Sequence, residues 1–156
     1  MGRKDQYIIH TDGAYSRKHD EGAYAYVICD GQENEIYRDA DKITNETNNR
    51  AELKAIIAAL QNLPEDAKRV RIESDSQDAL NTLAGRWKRN VNIDLFEISD
   101  EIISKRELQI KWCWVKGHSG DVFNEICDKM CQDVLGYDPS EEYAIYKKQK
   151  PYKSWK

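Results

Sequence analysis

Hydrophobic and polar positions alternate along this chain with two different periods. Residues 7–15 and 22–29 are rich in β-branched and aromatic side chains and predict strands. Residues 32–39 predict a third, turned at Asp30-Gly31, a good hairpin dipeptide. The period then changes. Leu53, Ile56, Ile57 and Leu60 follow i, i+3, i+4, i+7, which predicts an amphipathic helix over 48–63, stopped before Pro64. A strand over 69–74 and a helix over 76–84, ended by Gly85, come next. They are followed by a helix over 93–104, a strand over 108–115, and a helix over 122–135 with Gly136 behind it. Three antiparallel strands followed by alternating strand and helix predict an α/β fold: a mixed five-stranded sheet flanked by helices.

The length of 156 residues fits one domain over 1–136, which leaves 137–156 as a separate tail. The tail mixes Lys147, Lys148, Lys150, Lys153 and Lys156 with Tyr143, Tyr146, Tyr152 and Trp155. It reads equally as a solvated terminus or as a segment that touches nucleic acid. The longest wholly apolar run, residues 55–60, is far shorter than the roughly 18 residues a membrane helix needs. Neither a membrane span nor an apolar signal core is read, and a cytoplasmic location is expected. Cys29, Cys113, Cys127 and Cys131 form no CxxC pair. Cys127 and Cys131 lie four apart on an apolar helical stripe and read as buried free thiols. Trp87 reads equally as a core residue or as a contact for substrate.

Twenty-four Lys+Arg against 28 Asp+Glu give a net charge of −4. That balance disfavours binding nucleic acid through bulk charge. It leaves room for clustered carboxylates that hold metal ions against phosphates. Four acids stand where such a cluster can form, and each also has a plainer reading. Asp12 lies in Thr11-Asp12-Gly13-Ala14, either a hairpin turn or a position on the first strand. Glu52 lies three residues after Asn49, either a capping box or the carboxylate of a face it shares with Asn48 and Asn49. Asp75 follows the fourth strand, either as a helix cap or as a group at the carboxyl end of a strand, where open α/β sheets bind ligands. Asp128 flanks the apolar stripe of the last helix, where a solvated edge is the default. Gathered at one edge of the sheet, these oxygens suit hard divalent cations.

The motifs Thr11-Asp12-Gly13-Ala14, Thr47-Asn48-Asn49-Arg50-Ala51-Glu52-Leu53, Ser74-Asp75-Ser76-Gln77, Trp114-Val115-Lys116-Gly117-His118-Ser119-Gly120 and Asn124-Glu125-x-Cys127-Asp128 resemble type 1 ribonuclease H in order and spacing. The resemblance spans residues 6 to 135, and five ordered motifs are far more specific than any one. It implies an endonuclease that cuts the RNA strand of an RNA/DNA hybrid with two Mg2+ ions, Mn2+ being a substitute, and leaves 5′-phosphate and 3′-hydroxyl ends. Asp12, Glu52, Asp75 and Asp128 fall on the family's metal-binding carboxylates. His118 falls on its loop histidine, which assists proton transfer or product departure. Asn48, Asn49 and Gln77 fall where the family contacts the minor groove, and Thr47 where it contacts a DNA phosphate. A monomer with no membrane partner is expected.

The chain departs from that pattern in two stretches. Residues 16–21 read Ser-Arg-Lys-His-Asp-Glu where many members carry a Gly/Pro-rich turn. Only Arg86-Trp87-Lys88-Arg89 stands where many bacterial members insert a lysine-rich helix. Three rival readings stay open: a hybrid-binding module without catalysis, another metal nuclease of the same broad fold, and a structural domain whose acids are caps and turns.

Overall fold

The computed structural model describes residues 4–117 and 120–139. The elements run β1 Tyr7–Ser16, β2 Glu21–Asp30, β3 Glu35–Thr44, α1 Asn48–Gln61, β4 Arg69–Ser74, α2 Gln77–Leu83, α3 Ile93–Lys105, β5 Gln109–Trp114 and α4 Val122–Leu135. The five strands form one sheet in the order β3-β2-β1-β4-β5. β1, β2 and β3 pair antiparallel, whereas β4 lies parallel to both β1 and β5. This is the mixed sheet the pattern predicts. It places β1 and β4 side by side at the centre, with their carboxyl ends pointing the same way.

Alternation along the strands divides the core into two layers. On one face Ile9, Tyr26, Ile28, Val70 and Ile72 pack against Leu53, Ile56, Ile57 and Leu60 of α1 and Leu95 and Phe96 of α3. On the other, Ile8, Ala23, Ala25, Val27 and Cys29 pack against Cys127, Cys131 and Leu135 of α4. The alanines and cysteines keep this second layer thin, so α4 lies close to the sheet. Cys127 Sγ reaches the His10 carbonyl at 3.4 Å, and Cys131 Sγ reaches the Asp12 carbonyl at 3.8 Å. All four cysteines are free thiols, and Cys29, Cys127 and Cys131 are buried.

The structure differs from the sequence reading in several details. The third strand is Glu35–Thr44 rather than 32–39. Asp30 does not begin a two-residue hairpin turn. Its side chain accepts from the Gln32 and Asn34 amides, and Glu33 takes a φ of 66°, so the loop is longer. α1 ends at Gln61, two residues before the expected stop. Its cap is Thr47, whose Oγ1 accepts from the Arg50 amide at 3.1 Å, so Asn49 and Glu52 form no capping box. Ser76, not Asp75, caps α2. Trp87 is 48% exposed, which removes the core reading. No helix among the described residues is long and apolar enough to cross a membrane.

Candidate active site

Asp12 lies on β1 opposite Ala25 of β2, so it belongs to the strand and not to a hairpin turn. Asp75 follows the last residue of β4. The parallel β1–β4 pairing brings both to one end of the sheet. The start of α1 crosses the same end at Gly13. A Cβ there would stand 2.5 Å from the Ala51 carbonyl carbon and 2.6 Å from the Glu52 amide nitrogen. Only glycine allows that approach, and it carries Glu52 to the flank of Asp12. Oxygens of Asp12, Glu52 and Asp75 lie within 4.8 Å of one another. Asp12 is 7% and Glu52 5% exposed, while Asp75 is half-buried.

Asp128 stands outside that group of three but is electrostatically part of it. It lies half-buried on α4, and its Oδ2 accepts from Gln132 Nε2 at 3.0 Å. Burial raises the Asp12 pKa above the ordinary carboxylate value, and the charges of Asp75 and Asp128 raise it further, against a hydrogen bond from the Gly13 amide. Burial raises Glu52 in the same way, with Asp12 and Asp75 adding to it. Asp12 and Glu52 therefore resist full ionisation together and share protons as a pair. Glu52 Oε1 is enclosed and has no hydrogen-bond partner. A buried carboxylate oxygen without a donor, beside two further acids, has the chemistry of a ligand for a hard divalent cation.

His118 lies outside the described residues, as does Ser119. Gly117, just before them, lies against Asp75: a Cβ there would meet Asp75 Oδ2 at 2.7 Å. Asn48 and Asn49, in the first turn of α1, and Gln77, the first residue of α2, are exposed. The Thr47 hydroxyl is occupied as the α1 cap.

Two contributors escaped the sequence reading. Trp114, at the end of β5 and 50% exposed, donates its Nε1–H to the Asp75 carbonyl at 3.1 Å. Arg50 ties the start of α1 to α3 through Asp94 at 2.8 and 3.0 Å, and its Nε donates to Glu46. Both residues fall inside quoted motifs, but nothing in a motif shows which neighbour a side chain will reach.

A family model described as RNase H matches residues 4–135. The chain belongs to the RNase H family. Its members are endonucleases that act on RNA/DNA hybrids, and membership makes this chain a nuclease. A ribonuclease H of Treponema denticola is 30% identical, over 81% of this chain and 98% of the relative. One from Pseudoalteromonas atlantica is 34% identical, over 81% and 88%. The fold matches the N-terminal RNase H domain of a Mycobacterium tuberculosis protein, solved as a fusion with maltose-binding protein. The TM-score is 0.72 at 22% identity, covering 88% of this chain and 97% of that one.

Proposed function

We propose that this chain hydrolyses the RNA strand of RNA/DNA hybrids with two divalent ions, Mg2+ or Mn2+ as its substitute, and leaves 5′-phosphate and 3′-hydroxyl ends. The observation that carries the reading is the gathering of Asp12, Glu52 and Asp75 oxygens within 4.8 Å of one another, with Glu52 Oε1 enclosed and without a hydrogen-bond partner. Asp12, Glu52, Asp75 and Asp128 would hold the ions. Bound there, such ions supply an activated water and neutralise the charge developing on the leaving 3′-oxygen.

The protein's own groups position the rest. Asn48 and Asn49, in the first turn of the helix that carries Glu52, and Gln77, two residues after Asp75, are exposed to solvent. Their short amides can donate to and accept from 2′-hydroxyls in the wide minor groove of a hybrid. Thr47 adds a contact to a DNA phosphate through its backbone or its cap hydroxyl. None of these groups reads base edges, so cleavage is largely independent of sequence. His118 supplies proton transfer or helps product leave, and Gly117 lets its loop close on Asp75. Residues 1–136 act as the catalytic domain and 137–156 as a basic aromatic tail that adds hybrid affinity; residues 140–156 lie outside the described structure. The chain works as a monomer in the cytoplasm, where free thiols such as those of Cys29, Cys127 and Cys131 persist.

The test incubates the protein with labelled RNA/DNA hybrid, duplex DNA and duplex RNA, with Mg2+ or chelator, beside Asp12→Asn. Metal-dependent cutting of the hybrid RNA alone, absent in the variant, supports the reading. Tight hybrid binding without cutting replaces it with a binding module.

A further inference from the structure

A second group of ligand-bearing side chains lies outside the acidic cluster. Parallel pairing sets His10 of β1 beside Glu73 of β4, and Asp121 caps α4 next to them. A ring nitrogen of His10 and one carboxylate oxygen from each acid lie within 4.8 Å of one another. We propose that His10, Glu73 and Asp121 form a second metal site that takes one Zn2+ ion and clamps β1, β4 and α4 together.

The imidazole carries the argument. His10 is 2% exposed, and its Nε2 is enclosed without a hydrogen-bond partner. Its Nδ1 stands 3.5 Å from Glu73 Oε1, longer than a normal hydrogen bond. The ring is held in place by stacking on Phe123, with centroids 4.5 Å apart. Nδ1 is the ring nitrogen that faces Glu73 without a normal hydrogen bond, and a metal ion between it and the acids would give it a partner.

The surrounding charges agree. Arg71 Nε meets Glu73 Oε2 at 2.9 Å, and the Asn124 amide donates to Asp121 Oδ1 at 2.9 Å. Each acid therefore keeps its second oxygen for a cation. One imidazole and two carboxylates make a mixed N/O donor set, which suits Zn2+ better than Mg2+.

The site lies two residues before Asp12 on β1 and two before Asp75 along the chain. It serves as a staple for the elements that deliver those acids.

The test uses the metal-stripped double variant Asp12→Asn, Asp75→Asn, which disables the acidic cluster. Zn2+ titration by calorimetry should show one ion per chain, together with a raised Tm and no competition from excess Mg2+. Adding Asp121→Ser keeps a helix-capping hydroxyl but removes the carboxylate. It should weaken Zn2+ binding by at least about 100-fold, the upper end of what losing an outer-shell partner costs. His10→Phe should do the same; if that variant does not fold, Asp121→Ser decides alone. No Zn2+ bound by the double variant, or binding unchanged by Asp121→Ser, overturns the proposal.

Discussion

Gly13 and Ala51 touch so closely that a Cβ on Gly13 would stand 2.5 Å from the Ala51 carbonyl carbon. This contact fixes how near α1 comes to β1, and therefore how near Glu52 comes to Asp12. Gly13→Ala forces the helix outward, because both neighbours are backbone. We expect a loss of about 1–3 kcal/mol in urea denaturation, as for other overpacked interiors. A larger proportional loss should appear in Mg2+-dependent cleavage, since the acids no longer converge. Wild-type stability and activity in Gly13→Ala would show that the contact is not a constraint.

Crowding among the acids should appear in the metal-free protein. Asp12 and Glu52 have folded-state pKa values raised above the ordinary carboxylate values of 3.8 and 4.5. Above those values the unfolded chain releases protons that the folded one retains, so these groups remove stability as pH rises. Asp12→Asn deletes one buried charge. It should therefore stabilise the metal-free protein at neutral pH by about 1–3 kcal/mol and flatten the decline above pH 4.5, while abolishing cleavage. Mg2+ should raise the Tm of the wild type and not that of the variant. Thermal melts across pH, with Mg2+ or chelator, check both.

Thr47 and the two asparagines after it should separate stability from substrate binding. The Thr47 hydroxyl caps α1 through the Arg50 amide at 3.1 Å. Thr47→Ala should cost about 0.5–2 kcal/mol, and Thr47→Ser should restore it. Asn48→Ala and Asn49→Ala lie at exposed positions. They should leave the melt within about 0.5 kcal/mol and raise KM for the hybrid. Denaturation beside steady-state kinetics distinguishes the two patterns.

How far the sequence could be read follows from where packing is regular. β4 and α4 match their expected bounds because each presents an unbroken pattern to the core. β3 did not, because it is an exposed edge strand whose one buried residue is Ile43. Without a buried face no alternation marks its ends, and the Asp30 side-chain turn took up residues assigned to the strand. The cap readings offered for Asn49 and Asp75 are not the ones the structure uses, for a local reason. Thr47 and Ser76 each stand beside Asn or Asp residues of equal capping propensity, and only backbone angles choose among them. The element that carries each acid was legible. The distances among Asp12, Glu52 and Asp75 were not, because they depend on the strand order and on the depth of the Gly13 contact. Tertiary register also sets the Trp114–Asp75 hydrogen bond, which periodicity does not encode.

That hydrogen bond gives a further prediction. Trp114→Phe keeps an aromatic ring but loses the donor to the Asp75 carbonyl. Mg2+ affinity should fall about fivefold, the equivalent of the ~1 kcal/mol net value of one hydrogen bond. Hybrid affinity measured in chelator should change little. Isothermal titration with Mg2+ reads the effect, and an unchanged affinity would mean that Asp75 is held by its strand alone.

The most direct measurement is anomalous scattering from Mn2+ in crystals of the protein bound to an RNA/DNA hybrid that carries phosphorothioate linkages. Two peaks about 3.5–4 Å apart, ringed by Asp12, Glu52, Asp75 and Asp128 and touching the RNA phosphate, are the predicted result. A hybrid seated on the protein with no Mn2+ peak among these four carboxylates would contradict it.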